Sequence, residues 1–200
     1  MPRVVQFWFE FASTYSYPAA MTLEAAAAAA GVSVQWRAFL LGPVFREQGY
    51  DSSPFIQFPA KGRYMWRDIQ RLCARMDLPY RQPSSFPRTS VSAARIVAAY
   101  GDAPWIGDFV RAVYTANFAN DQDIADDGVI QTCLVSIGQD ADTLLASVAQ
   151  SPLKERLRQN TDQARTLGIF GAPSYWVDGE LFWGNERQAD ALAWACGERI

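Results

Sequence analysis

Two short segments at opposite ends of the chain limit its folds more than anything between them. Val4 to Phe11 is a dense apolar and aromatic run of the kind that fills a buried strand. At Ala12-Ser13-Thr14-Tyr15-Ser16-Tyr17 it hands over to an alanine-rich stretch that reads as a helix to about Ala30, with Gly31 as its stop. Pro18 lies near the helix start, where a missing N–H costs least. Val32 to Leu40 alternates and reads as a second strand, so the helix makes a right-handed crossover and the two strands pair in parallel. Far downstream, Gly168-Ile169-Phe170-Gly171-Ala172-Pro173-Ser174-Tyr175-Trp176-Val177 enters another strand through a proline. Asp178-Gly179 then closes a hairpin with Glu180 to Trp183.

A strand–turn–helix start paired with a late Gly-Ala-Pro strand resembles the two halves of a thioredoxin-type domain. Redox members of that class carry Cys-x-x-Cys at the first turn; this chain carries Ser13-Thr14-Tyr15-Ser16. The resemblance therefore implies the fold without its sulfur chemistry, and any thiol must come from outside.

The stretch between the two ends reads differently. A loop rich in Gly, Pro and Ser is expected from Gly42 to Gly62. Met65, Ile69, Leu72, Cys73 and Met76 then recur at helical spacing. Pro79 and the Pro83–Pro87 stretch break that helix. Ser90 to Tyr100 reads as a short helix, and Asp102 as the cap of another bearing Trp105, Phe109, Val110 and Val113 on one face. Asp126 to Ile137 and Asp140 to Gln150 complete about five short helices. Ser151-Pro152 reads as a cap and first helical position of a helix to Leu167. Asn185, with Gln188 as its capping-box partner, opens the last helix. The expected architecture is α/β: a thioredoxin-like domain (βαβ…ββα) from residues 1–40 and 151–200, with a large all-helical insertion at 41–150.

Composition removes several kinds of chemistry. Among 200 residues there is no histidine, which excludes Ser-His-Asp triads, Cys-His pairs and histidine metal sites. Cys73, Cys133 and Cys196 are odd in number, far apart and unpatterned, so they read as buried reduced thiols and no metal set is expected. A net charge of -3 argues against non-specific nucleic-acid binding. No stretch reaches the length of a membrane span, and Glu10 interrupts the short apolar run after Arg3, unlike a signal peptide. The expectation is a cytoplasmic protein.

Five blocks in order resemble the 2-hydroxychromene-2-carboxylate isomerases, relatives of kappa-class glutathione transferases and of DsbA-type proteins. Phe9-Glu10-Phe11-Ala12-Ser13-Thr14-Tyr15-Ser16-Tyr17 is similar to the family's Phe-Asp-Phe-x-Ser-Pro-Tyr-Ser-Tyr opening. Pro59-Ala60-Lys61-Gly62-Arg63-Tyr64-Met65 is similar to its Pro-x-Lys-Gly-x-Tyr-Met segment. Phe86-Pro87 with Ser92-Ala93-Ala94-Arg95, then Gly171-Ala172-Pro173, then Phe182-Trp183-Gly184-Asn185-Glu186-Arg187 supply the rest. The resemblance implies a glutathione cofactor, a small aromatic carboxylate substrate and a homodimer.

It also implies roles. Ser13 sits where a strand meets a helix, a place whose free N–H groups favour an anion. There it would hold the glutathione sulfur as thiolate; on its own, Ser13 reads first as a plain N-cap, and the other blocks bring the thiolate role forward. Pro173 would be cis, with Ala172 pairing to the cysteine moiety as one strand pairs with another. Asn185 and Glu186 would take the γ-glutamyl end. Lys61, one of only two lysines, would bind a carboxylate; otherwise it is a solvated loop residue. Arg63, Tyr64, Trp66 and Arg67 are further candidates for an aromatic, cationic pocket. Three positions depart from the family pattern: Thr14 stands for Pro, Tyr50-Asp51 follow Gly49 where Asn is usual, and Thr89 replaces another Asn. They leave the glutathione framework in place and bear on the chromene substrate. A kappa-type transferase and a DsbA-like binding protein without redox activity are the alternatives. A dithiol oxidoreductase is excluded, because Ser13 and Ser16 leave no active-site cysteine pair.

Overall fold

The computed structural model describes residues 3–89 and 91–199. At its centre is a four-stranded mixed sheet in the order β2-β1-β3-β4. The strands are β1 (Val4–Phe9), β2 (Ser33–Ala38), β3 (Ser174–Val177) and β4 (Glu180–Trp183). β1 and β2 pair in parallel, Val4 opposite Ser33 and Phe9 opposite Ala38, with helix α1 (Ser16–Ala29) between them in the chain. β3 lies antiparallel to β1 and returns as β4. Asp178 and Gly179 both take positive φ, as the expected two-residue turn requires. β1 stops two residues earlier than its apolar run, because the Glu10 carbonyl already accepts the Ser13 N–H of the next turn.

Between β2 and α9 (Ser151–Thr166) the described chain is helical: α2 (Leu41–Glu47), α3 (Pro54–Gln57), α4 (Pro59–Arg75), α5 (Val91–Tyr100), α6 (Ile106–Phe118), α7 (Asp127–Ser136) and α8 (Ala141–Val148). After β4, a 3-10 turn (Asn185–Arg187) leads into α10 (Gln188–Ala195). The fold is thioredoxin-like and α/β. No helix among the described residues is long and apolar enough to cross a membrane.

The continuous apolar run Phe7-Trp8-Phe9 has a simple cause: the sheet is covered on both faces. Val5, Phe7 and Phe9 join Trp36, Tyr175, Leu23 of α1 and Val113 of α6 in the main core. Trp8 points the other way, into a smaller cluster with Phe39, Leu41, Ala164 and Ile169. α6 packs on α1, and α5 packs on both α9 and β2.

Four local expectations need correction. The segment 42–62 is not one loop; α2, α3 and the start of α4 occupy much of it. Ser53 accepts the Phe55 N–H, and Pro54 and Pro59 each open a helix at the position where proline fits. Asp102 caps nothing: α6 begins at Ile106, and Asp102 accepts from Gln35 Nε2 at 3.1 Å instead. Asn185 opens the 3-10 turn, and Gln188 begins α10 with its Oε1 taken by the Thr22 hydroxyl, so there is no capping box. α9 starts at Ser151, with Gln150 in the cap position. Asp126 and Asp140 do cap α7 and α8, through the N–H groups of Gly128 and Thr143. Ser90, read as the start of α5, lies outside the described residues.

A candidate active site at the first turn

The turn after β1 is built by its backbone. Ser13 N–H donates to the Glu10 carbonyl at 2.9 Å, and Ser16 N–H to the Ser13 carbonyl at 3.2 Å. The chain is then already helical at Tyr15, the residue before α1, which makes no side-chain cap. Ser13 therefore does not serve as an N-cap. Its Oγ donates instead across the molecule to the Ala172 carbonyl, at 3.0 Å.

Ala172 belongs to the opposing turn. The Ala172-Pro173 peptide is cis. Around it, the Ser174 hydroxyl donates to the Gly171 carbonyl at 2.8 Å, and Gly184 N–H donates to the Pro173 carbonyl at 3.0 Å. Among the described residues no protein acceptor takes the Ala172 N–H. That group is free to pair with an extended ligand.

These two turns form the floor of a cavity of about 750 Å³. Ser13, Lys61, Ala172, Pro173, Asn185 and Glu186 all line it. The walls are largely aromatic: Phe45 from α2, Tyr50 and Phe55 around α3, and Phe86 on one side, with Phe170 and Trp183 on the other. Phe170 and Trp183 meet at a tilt, with centroids 4.9 Å apart and planes at 59°. α3 lies tight on α4, because a Cβ on Gly62 would run into the Phe55 carbonyl oxygen. The Lys61 ammonium sits 4.7 Å from the centroid of the Phe58 ring and has no ion-pair partner among the described residues. Arg46 is the second cation of the cavity. Tyr15 donates to Asp68 Oδ2 at 3.0 Å, joining the first turn to α4.

Arg63, Tyr64, Trp66 and Arg67 do not line this cavity, contrary to expectation. Tyr64 is 62 % exposed, and Trp66 backs Phe86 from behind, edge to face at 4.8 Å. Periodicity shows which residues share a helix face, not which face meets a cavity. The aromatic residues that do line it come from loops, short helices and the end of β4, with no repeating pattern. The three positions at odds with the resemblance, Thr14, Tyr50 and Thr89, all line the cavity.

No cysteine lines it. Burial pushes the Cys73 and Cys133 thiols up to about 11, so neither is a thiolate source at neutral pH. One acid does lie at the floor. Glu10 is buried, and burial raises its carboxyl from the ordinary 4.5 to about 7, against the opposing pull of the Leu41 N–H.

Comparison with known proteins follows this geometry. A family model described as a DSBA-like thioredoxin domain matches residues 4–193. A 2-hydroxychromene-2-carboxylate isomerase of Sphingobium xenophagum is 28% identical over 187 residues, covering 94% of this chain and 95% of its own. Glutathione S-transferase kappa 1 of Rattus norvegicus is 26% identical, covering 99% and 92%. Among solved structures, a 2-hydroxychromene-2-carboxylate isomerase superposes with a TM-score of 0.86 at 23% identity, over 97% of this chain and 94% of the other, a likeness of fold.

Proposed function

The chain belongs to the DsbA-like thioredoxin family, and from that premise we propose that it is a glutathione-dependent isomerase of an unsaturated aromatic keto acid. The observation that carries this reading is the Ser13 hydroxyl. It stands where a redox member keeps its reactive cysteine, and it points across the cavity floor at the residue preceding the cis proline. A fold that recruits an external thiol needs a donor there, not a nucleophile. The glutathione transferase relative supports the cofactor, and the isomerase relative the reaction.

In this reading the glutathione backbone lies along Ala172, using its free N–H. The γ-glutamyl end reaches Asn185 and Glu186, whose carboxylate faces the ligand's ammonium. Ser13 first donates to the Ala172 carbonyl; a thiolate is the stronger acceptor, so the hydroxyl turns to the sulfur and frees that carbonyl for the ligand. The thiolate adds to the activated carbon–carbon double bond of the substrate, and the electron pair moves to the conjugated keto oxygen. The former double bond is now single and rotates. The electron pair then returns, the carbon–sulfur bond breaks, and the double bond re-forms in the other geometry. By family resemblance the substrate is 2-hydroxychromene-2-carboxylate, a cyclic hemiketal whose ring carbon–oxygen bond first opens, its hydroxyl proton passing to the phenol oxygen, to give the cis keto acid that the thiolate attacks; the product is trans-o-hydroxybenzylidenepyruvate, an interconversion in aromatic catabolism. The aromatic walls take the ring, and Lys61 takes a carboxylate.

The kappa-type alternative shares every step up to the adduct and differs in releasing it; the rat relative is what favours it. Two measurements test the proposal. Calorimetric titration with glutathione, followed by thiolate absorbance, is expected to show binding with ionisation near neutral pH. Product analysis with unsaturated aromatic keto acids is expected to show an isomer and unconsumed glutathione. Binding without ionisation removes the external-thiol mechanism, and a stable conjugate replaces isomerase by transferase.

A further inference from the structure

A thiol that ionises in a cavity must lose a proton, and this chain has no histidine to receive it. The addition–elimination cycle regenerates the thiolate, so one stored proton serves every turnover until glutathione leaves. To keep that proton in the site takes a titratable group in the same cavity, sheltered from water and without a fixed counter-charge.

We propose that Glu10 is that acceptor: its carboxylate takes the thiol's proton, and the two groups hold one proton between them. The proposal rests on the glutathione reading above. When the S–H bond breaks, the electron pair stays on sulfur and accepts the Ser13 hydroxyl. The proton ends on a carboxylate oxygen of Glu10, making a neutral carboxyl. It returns to sulfur when glutathione departs.

The geometry singles Glu10 out. It stands three residues before Ser13, and its carbonyl accepts the Ser13 N–H. It lines the cavity while only 8 % exposed. Its Oε2 accepts the Leu41 N–H at 3.1 Å, and no Lys or Arg pairs with it among the described residues. Such a carboxylate is costly to ionise and gains by accepting a proton. The other titratable groups of the cavity are differently placed. Asp51, Lys61 and Glu186 are exposed, Asp68 is engaged by the Tyr15 hydroxyl, and Arg46 has no proton to exchange at neutral pH. From α6, Tyr114 donates to the Glu10 carbonyl and is itself fully buried, its phenol held well above the usual range by burial. The raised titration of Glu10, at about 7, supports the geometry: the group is half protonated where the thiol is asked to ionise. Two like charges in one water-poor site exclude each other, so ionising the thiol favours protonation of the carboxyl.

Glu10→Gln tests this, because the amide oxygen still accepts the Leu41 N–H while the side chain no longer exchanges a proton. Glutathione is titrated by calorimetry at about pH 6 and about pH 8, each in two buffers of different ionisation heat, to count the protons released per thiolate formed. In the wild type Glu10 is protonated at the lower pH and ionised at the higher. The count is expected to fall from about one to near zero between them. In Glu10→Gln it is expected to stay at about one at both. A wild-type count that does not change with pH, or a variant count that matches the wild type at the higher pH, overturns the proposal and leaves the glutathione reading standing. Failure of the wild type to bind glutathione or form thiolate overturns both. If the variant does not fold, the pH dependence of the wild-type count decides alone.

Discussion

The two sides of the cavity are built on different principles. The floor, formed by the first turn and the Gly171–Ser174 turn, hangs directly on paired strands. Thr14, Ser16 and Ser174 there are almost fully buried, and the Ser13 hydroxyl ties one turn to the other across 159 residues of sequence. In the wall made by α2, α3 and the start of α4, α2 and α4 are anchored by buried side chains, and α3 is the loosely held part. α3 has no buried residue, and Ile56 and Phe58 are 44% and 40% exposed. A floor fixed by backbone hydrogen bonds suits a reacting atom whose position must not vary. A wall of half-buried aromatic side chains suits a ligand body whose shape does. Under the proposed function, the thiol then belongs to the floor and the choice of aromatic acid to the wall.

The largest effect is therefore expected on the floor. Ser13→Ala deletes the donor proposed to hold the sulfur, a change that lowers turnover by roughly 10² to 10³ where such donors stabilise an anion. Glutathione affinity should change by no more than about fivefold, since one hydrogen bond is worth only about 1 kcal/mol. Steady-state kinetics beside a binding titration separate the two numbers. A fall in affinity with unchanged turnover would move Ser13 from chemistry to binding and blur the division.

Glu10 sharpens the same point through stability. Its folded titration, about 7, lies above the ordinary 4.5, so the folded protein holds this proton more tightly than the unfolded chain. The carboxyl's contribution is intact below pH 4.5 and is lost as pH rises through 7. At about pH 8 the buried charge costs on the order of 3 kcal/mol. Glu10→Gln, which carries no charge, should be more stable than the wild type by up to about that amount at high pH and nearly equal to it at about pH 4. Denaturant unfolding at both pH values reads this; an advantage independent of pH would mean that packing, not ionisation, governs the site.

The floor was legible in the sequence because its devices are local. A strand running into Ser13, a Gly-Ala-Pro entry at Ala172-Pro173 and a helix stop at Gly31 each depend on neighbours in the chain. The six residues to which the family resemblance pointed, Ser13, Lys61, Ala172, Pro173, Asn185 and Glu186, line one cavity; what they hold there is the proposal above. The wall was not legible for a matching reason. Met65, Ile69 and Cys73 mark the buried face of α4, but Lys61 and Asp68 reach the cavity from another face that periodicity does not weigh. Phe45, Tyr50 and Phe86 come from separate segments and meet only through tertiary packing. Arg88 illustrates the point: buried, it binds Ser84, Ser85 and Asp121 and so pins the loop carrying Phe86. Nothing in the spacing of those residues announces that knot.

The wall has one rigid contact, and breaking it should produce the next effect. Alanine in a helix is worth about 1 kcal/mol over glycine when there is room for it. At Gly62 there is none, because the added Cβ meets the Phe55 carbonyl. Gly62→Ala is expected to lose roughly 1–3 kcal/mol of stability through overpacking and to push α3 outward. With Phe55 displaced, the KM for the aromatic acid should rise while glutathione binding holds. A more stable variant with unchanged kinetics would show that α3 yields freely and takes no part in shaping the site.

Lys61 carries the smallest expected change and the finest distinction. Its ammonium is exposed and rests over Phe58, itself half in solvent, so its attraction for a carboxylate is screened. Lys61→Ala should weaken binding by about 1 kcal/mol or less, a loss of roughly fivefold at most. The loss should shrink as salt is added. Which ligand loses affinity is the informative part. A loss confined to the aromatic acid keeps Lys61 with the wall, as its place beside Phe58 and α3 suggests. A loss confined to glutathione extends the floor's task across the cavity, and the wall's selectivity then falls to Arg46 and the aromatic rings.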